Sequence, residues 1–293
     1  MILSTSIFHI CEKVSVREAI KMVRKAGFDA YDMGLFEMYK NEDSIFNSDR
    51  YLQEAKSIRA YADQLGIVCN QAHAPFPSSR GDDERDPIIF QKIVRSMEIA
   101  SALGAGIIVV HPKQHLTYAD HAEELFRINV QFYQSLIPYC EKFGIRVATE
   151  NMWQRNPASN AITDSTCSRS LEFNKYIDAL NSEWITGCLD IGHVSLVTDK
   201  LVDFIHDMGR ERLQALHVHD TDFIRDRHNL PFAEDIDFRA VAKALGEIDY
   251  QGDLTFEIDR FFKKAPVELL PAACRYACEV GRFLISEIEK NRP

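Results

Sequence analysis

Four segments of this 293-residue chain share one local grammar: "RKAGFDAYDMG", "ADQLGIVCNQAH", "SALGAGIIVVH" and "EKFGIRVATEN". Each begins as the tail of an amphipathic helix, halts at a glycine and runs on as an apolar strand. Glycine suits the stop because the residue after a last helical turn adopts a left-handed backbone that strains any Cβ. The glycines are Gly27, Gly66, Gly104 and Gly144, at intervals of 39, 38 and 40 residues. Such a period marks one strand plus one helix, repeated along the chain.

The other strands have less regular lead-ins: "EWITGCLDIGH", "LQALHVHD" and "GDLTFEID", with "ILSTSIF" opening the chain before a helix around Val16 to Ala26. Between them apolar residues recur three and four apart, as in "DPIIFQKIVRSMEIASAL" and "AEELFRINVQFYQSLIPYCEKF", which predicts helices. Strands alternating with helices call for a parallel sheet. At this length a closed (β/α)8 barrel, a TIM barrel, fits best, and an open doubly wound sheet is the alternative. No GxGxxG or GxxxxGK[ST] follows a strand, so no nucleotide cofactor is expected. With 46% hydrophobic residues and no Pro/Gly/Ser-rich linker, residues 1–293 read as one domain.

The charge balance is acidic, −10 from 34 basic and 44 acidic residues, which argues against a nucleic-acid backbone as partner and for a small metabolite. The seven cysteines form no CxxC pair, and Cys69 and Cys188 fall inside apolar strands. They read as reduced core thiols, and the i,i+4 spacing of Cys274 and Cys278 alone does not make a metal site. The opening "MILSTSIFHICEKVS" lacks the basic-then-apolar order of a signal peptide, and no run reaches the roughly 18 apolar residues of a membrane span. A cytoplasmic protein without membrane partners is expected.

The strand ends carry a second pattern. "IVCNQAH" ends at His73, "IIVVH" at His111, "IRVATE" at Glu150, "WITGCLD" at Asp190, "LQALH" at His217 and "LTFE" at Glu257, and the second strand, "FDAYD", ends at Asp32. One such residue merely marks where the chain meets water. Six drawn only from His, Glu and Asp, with no Lys, Arg, Ser or Asn, call for another cause. In a barrel these ends meet at one rim, where active sites form. Carboxylates buried together there would repel and be costly to desolvate, and a divalent cation removes the difficulty. The best quartet is Glu150, Asp190, His217 and Glu257. It is oxygen-rich and suits Mn2+, Mg2+ or Co2+, while further histidines would shift preference toward Zn2+.

In order, "QAHAPF", "VVHPK", "TEN", "LDIGH", "HVHD", "DRHNLPFAEDIDF" and "FEID" resemble the xylose isomerase-like TIM barrels. That group includes sugar-phosphate isomerases and epimerases, ketose 3-epimerases, inosose-converting enzymes and endonuclease IV. The resemblance runs from the second strand to the eighth and implies a small carbohydrate substrate. By its epimerase branch it implies one divalent metal ion on Glu150, Asp190, His217 and Glu257, with Glu150 and Glu257 as the acid/base pair. It places His193 at the substrate. His228 stands where many epimerases have arginine, and "PFAE" at Pro231 to Glu234 replaces the usual "PGxG". The implied chemistry is proton transfer beside a carbonyl through an enediolate, giving epimerisation, isomerisation or, with a leaving group next to the carbanion, elimination by a lyase. The same branch implies a homo-oligomer.

Endonuclease IV is the rival within the resemblance, because it holds three zinc ions on nine ligands. All nine places are ligand-competent here: His73, His111, Glu150, Asp190, His193, His217, Asp226, His228 and Glu257. The acidic balance and the loops "PFPSSRGDD", "MWQRNPASN" and "VSLVTD", unlike DNA-penetrating loops, argue against it. In the isomerase reading His73, His111, His193, Asp226 and His228 contact substrate, joined by Lys113 just past "VVHP", Trp153 after "TENM" and Arg260 three beyond Glu257. His9 and Asp32 are candidate pocket residues. His219 alternates with His217 and, if the strand continues, points away from it as a structural histidine. The polar loop Pro75 to Asp86 reads as solvent-exposed chain, with a mobile lid as the alternative.

Overall fold

A computed structural model describes all 293 residues. Its strands are β1 (Leu3–Thr5), β2 (Ala30–Gly34), β3 (Val68–His73), β4 (Ile107–Val109), β5 (Arg146–Glu150), β6 (Trp153–Arg155), β7 (Ile162–Asp164), β8 (Ile185–Asp190), β9 (Leu213–His217) and β10 (Leu254–Phe256). Six of them pair in parallel in the order β2-β3-β4-β5-β8-β9, and β1 pairs in parallel with β10. Parallel bridges Ser6–Asp32 and Val218–Phe256 join the two ladders at both ends, so eight strands close into a ring. This is the α/β barrel expected from the repeat. The antiparallel hairpin β6–β7 lies outside the ring, in the excursion after β5.

The four capping glycines occupy the left-handed region, with φ of +105°, +66°, +98° and +64° at Gly27, Gly66, Gly104 and Gly144. Each ends a helix that crosses back over the barrel, including Arg85–Leu103 and Tyr118–Phe143. A cluster of 69 buried hydrophobic residues fills the layer between helices and strands. Inside the barrel the apolar core is five residues: Ile107, Val109, Ala148, Cys188 and Ala215.

That inner core explains where the polar residues go. Strand side chains alternate faces, so the inward positions after Ala148, Cys188 and Ala215 are Glu150, Asp190 and His217. The inner core is small-residued, and the layer above it is acidic and imidazole-bearing. Two strands stop earlier than their sequence suggests: β4 ends at Val109 and β10 at Phe256, leaving His111 and Glu257 just past the ladder.

Candidate metal centre

The ligand atoms of Glu150, Asp190, His217 and Glu257 all lie within 4.8 Å of one another. The His217 Nδ1 stands 3.4 Å from Glu150 Oε2 and 3.5 Å from Glu257 Oε2. Asp190 and His217 are fully buried, and Glu150 and Glu257 nearly so. Local structure holds each group. Asp190 caps the helix Ile191–Val197, accepting from His193 N at 2.7 Å. Its backbone N–H donates to Asn151 Oδ1 while Asn151 Nδ2 donates to Asp190 O, tying the ends of β5 and β8 together. On the far side of His217, Nε2 faces Asp32 Oδ2 at 3.8 Å, and Asp32 accepts from Gln71 Nε2. The Glu150 Oε2 and both His217 ring nitrogens have no hydrogen-bond partner. Buried polar atoms are nearly always satisfied, so the two of these that face each other across the quartet, Glu150 Oε2 and His217 Nδ1 at 3.4 Å, fit a cation.

Two further groups adjoin the quartet. His73 Nε2 and His111 Nε2 are 3.0 Å apart, and lie 3.5 and 3.2 Å from Glu150 Oε2. His73 Nδ1 donates to Ala74 O, which leaves its Nε2 as a lone pair. On the other flank His193, Asp226 and His228 converge. Nδ1 of His193 is directed at Asn151 O and Nδ1 of His228 at Glu257 O, so both Nε2 atoms face the Asp226 carboxylate, at 3.6 and 3.1 Å.

Burial and mutual charge set the protonation of these groups. Burial would raise Glu150, but the imidazoles of His217 and His111 outweigh it and hold the carboxyl well below its usual range. Asp190 is lowered too, burial being overcome by His193 and His219. Glu257 is raised by burial despite His217 and His228. Burial drives His111 down to about 4, whereas His228, opposed by burial, is carried up to about 10 by Asp226 and Glu257.

The groups open into a cavity of about 540 Å3, of the size that takes a small metabolite. Its floor includes His73, His111, Glu150, His193, Asp226, His228 and Glu257, and Asp190 and His217 lie just beneath. Phe8, Phe36 and Phe76 form one wall, with ring centroids 4.7 and 5.0 Å apart along the series, and Trp153 of β6 forms another. His9 and Arg260 line the mouth.

Three sequence expectations fail. Lys113 does not line the cavity: Asn129 on the outer helix clamps its backbone from both sides, and its ammonium lies over the Phe132 ring at 5.3 Å. Pro112 turns the chain outward after His111, so the lysine leaves the rim. His219 does not point away from the site, because β9 ends at His217 and the alternation stops there. It stacks on His228 with centroids 4.0 Å apart and reaches Asp190 Oδ1 at 3.0 Å, joining the quartet to the flanking cluster. Its place in the HVHD run was the available signal. Loop Pro75 to Asp86 is likewise more than exposed chain, since Phe76 to Ser79 line the cavity.

The fold and site define a parallel barrel with a polar, ligand-rich mouth. The family model for the xylose isomerase-like TIM barrel matches residues 20–276, and the chain belongs to that family. The uncharacterized protein y4fM of Sinorhizobium fredii is 25% identical over 269 residues, 84% of this chain and 82% of that protein. Among solved structures, a D-tagatose 3-epimerase-like protein superposes with a TM-score of 0.76 at 18% identity, covering 99% of both chains. The IolI protein with a bound zinc atom gives 0.76 at 17% identity over 98% of this chain and 100% of that one. At these identities the two structures establish the shared fold.

Proposed function

We propose that the chain is a divalent-metal-dependent isomerase or epimerase of a small sugar, sugar phosphate or cyclitol. The observation that carries this reading is the buried quartet of three carboxylates and one imidazole opening into a metabolite-sized cavity. Epimerase-like and zinc-bound IolI neighbours with the same fold support it. Glu150, Asp190, His217 and Glu257 would hold the ion. When bound, a Mn2+, Mg2+, Co2+ or Zn2+ ion supplies Lewis acidity that offsets negative charge developing beside a carbonyl.

The chain's own groups then move the protons. One of Glu150 and Glu257 takes the acidic proton next to the carbonyl, and the other returns a proton from the opposite side, their order following the substrate's configuration. His217, backed by Asp32, is oriented with Nδ1 toward both glutamates. His193 and His228, fixed by the Asn151 and Glu257 carbonyls, line the cavity with Nε2 turned to Asp226, so the three would meet substrate as one group, and Trp153 offers an apolar face to a sugar ring. Expulsion of a leaving group from the same carbanion would make the enzyme a lyase. The test is deuterium incorporation from solvent into ketoses, inososes and 3-oxo-sugars by metal-loaded protein. Exchange, with product identity separating epimerisation from elimination, is expected.

A second reading is favoured by one specific observation. The groups His73/His111/Glu150 and His193/Asp226/His228 flank the quartet, so ligands for three cations stand side by side. That supports a trinuclear zinc phosphodiesterase resembling endonuclease IV. Near three Zn2+ per chain with cleavage at abasic DNA would establish it. About one metal per chain with exchange into a sugar would dismiss it.

A further inference from the structure

We propose that Lys40 and Arg260 form an anion subsite at the cavity mouth, for a carboxylate or phosphate carried on the substrate at the end remote from its carbonyl. The inference rests on the isomerase reading and names the substrate class within it. Both residues line the cavity, Lys40 from the segment after β2 and Arg260 from the segment after β10. The Lys40 ammonium lies 5.1 Å from the Phe8 centroid, at the outer end of the aromatic wall that runs from His73 through Phe36 to Phe8. The wall thus leads from the acidic floor to a cation.

What distinguishes these two cations is that neither makes an ion pair or a side-chain hydrogen bond, the Lys40 ammonium meeting only the Phe8 ring and the field of Glu12. Other basic groups around the rim are already used. Lys92 meets Glu42 at 2.6 Å, Arg227 meets Asp222 at 2.7 Å, and Arg80 donates to the Tyr39 hydroxyl. Lys13 donates to the carbonyls of Phe262, Lys263 and Ala265, which pins the short helix Asp259–Lys264 bearing Arg260. The neighbouring acids are occupied as well: Glu12 is turned to His9 at 2.6 Å, and Asp259 accepts from Ser6 Oγ at 3.1 Å. No carboxylate lies within ion-pair distance of Lys40 or Arg260.

Charge distribution gives these free cations a purpose. The molecule carries a net charge of −10, and Glu150, Asp226 and Glu257 line the cavity floor, with Asp190 buried beneath it. A neutral sugar needs no help past that field. An anionic one would be turned away unless local positive charge received its far end, and cations in a concave mouth act over just that range. Arginine adds a planar donor fork suited to carboxylate or phosphate, and the lysine adds a point charge.

The test titrates metal-loaded protein calorimetrically with D-fructose, D-fructose 6-phosphate and D-fructuronate. These share one hydroxyketone end and differ at the other. At least one anionic ligand is expected to bind about tenfold tighter than D-fructose, with the preference falling to about twofold in K40Q/R260Q. Stronger binding of the phosphate assigns a phosphorylated substrate, and stronger binding of the uronate a carboxylated one. Both side chains are solvent-exposed, and a melting curve checks the variant. Should it misfold, the wild-type preference must still shrink severalfold between about 0.05 and about 0.5 M salt. Equal binding of all three ligands, absence of binding included, overturns the subsite, as does a preference indifferent to both the substitutions and salt. Deuterium exchange into D-fructose without anion preference would sink the subsite alone, and anion preference without exchange would sink only the isomerase reading.

Discussion

Gly192 is the residue on which the arrangement around Asp190 closes. A Cβ there would stand 1.9 Å from His219, so alanine must evict the imidazole that touches Asp190 at 3.0 Å. G192A is expected to cost about 1–3 kcal/mol of stability through overpacking, and to lower metal affinity. Melting curves and metal titration check it. Glu172 provides a pH prediction away from the site. Burial lifts its carboxyl to about 7, against the lowering effect of Tyr118 and the Cys167 N–H. The folded chain therefore holds a proton that the unfolded chain has released, and stability falls as pH rises from the unfolded value near 4.5 through about 7. E172Q should remove a loss of roughly 2 kcal/mol across that window, read by denaturant midpoints at pH 5 and pH 8. At this scale the sequence was legible where a residue ends a strand, as Glu150, Asp190 and His217 do. It misled beyond the strand: Lys113 leaves the rim after a proline, and His219 escapes an alternation that had already stopped.

Among the elements, the four glycine stops were readable because each solves a backbone problem in one residue. Gly144 isolates that effect, since its φ is +64° and a Cβ would meet nothing within 4 Å. G144A should cost about 1 kcal/mol from strain alone. G106A, equally free of neighbours but without a positive φ, should be close to neutral in the same melting assay. The hairpin β6–β7 escaped notice because its strands have three residues each, too short for period-2 alternation to register. It nonetheless positions Trp153 over the cavity. Likewise β10 spans only Leu254–Phe256, yet the alternation that turns Thr255 inward also aims Glu257 at His217.

For the whole molecule, closure of the ring turns residues 107 positions apart, Glu150 and Glu257, into neighbours. A repeat of strand and helix reveals that convergence in outline, because parallel strands place all their C-terminal ends on one side. The repeat says nothing of shape above the rim, so the aromatic wall and the free cations at the mouth emerged only with the loops in place. The central claim is that the converged groups hold a cation and pass a proton at a carbon beside a carbonyl. Its most direct test is solvent-deuterium incorporation into a panel of ketoses and inososes by protein loaded with Mn2+ or Zn2+. Incorporation by the wild type, reduced about 1,000-fold or more in both E150Q and E257Q, is the expected result. Fully loaded protein that exchanges no proton into any member of the panel, or exchange that survives in either variant, would contradict it.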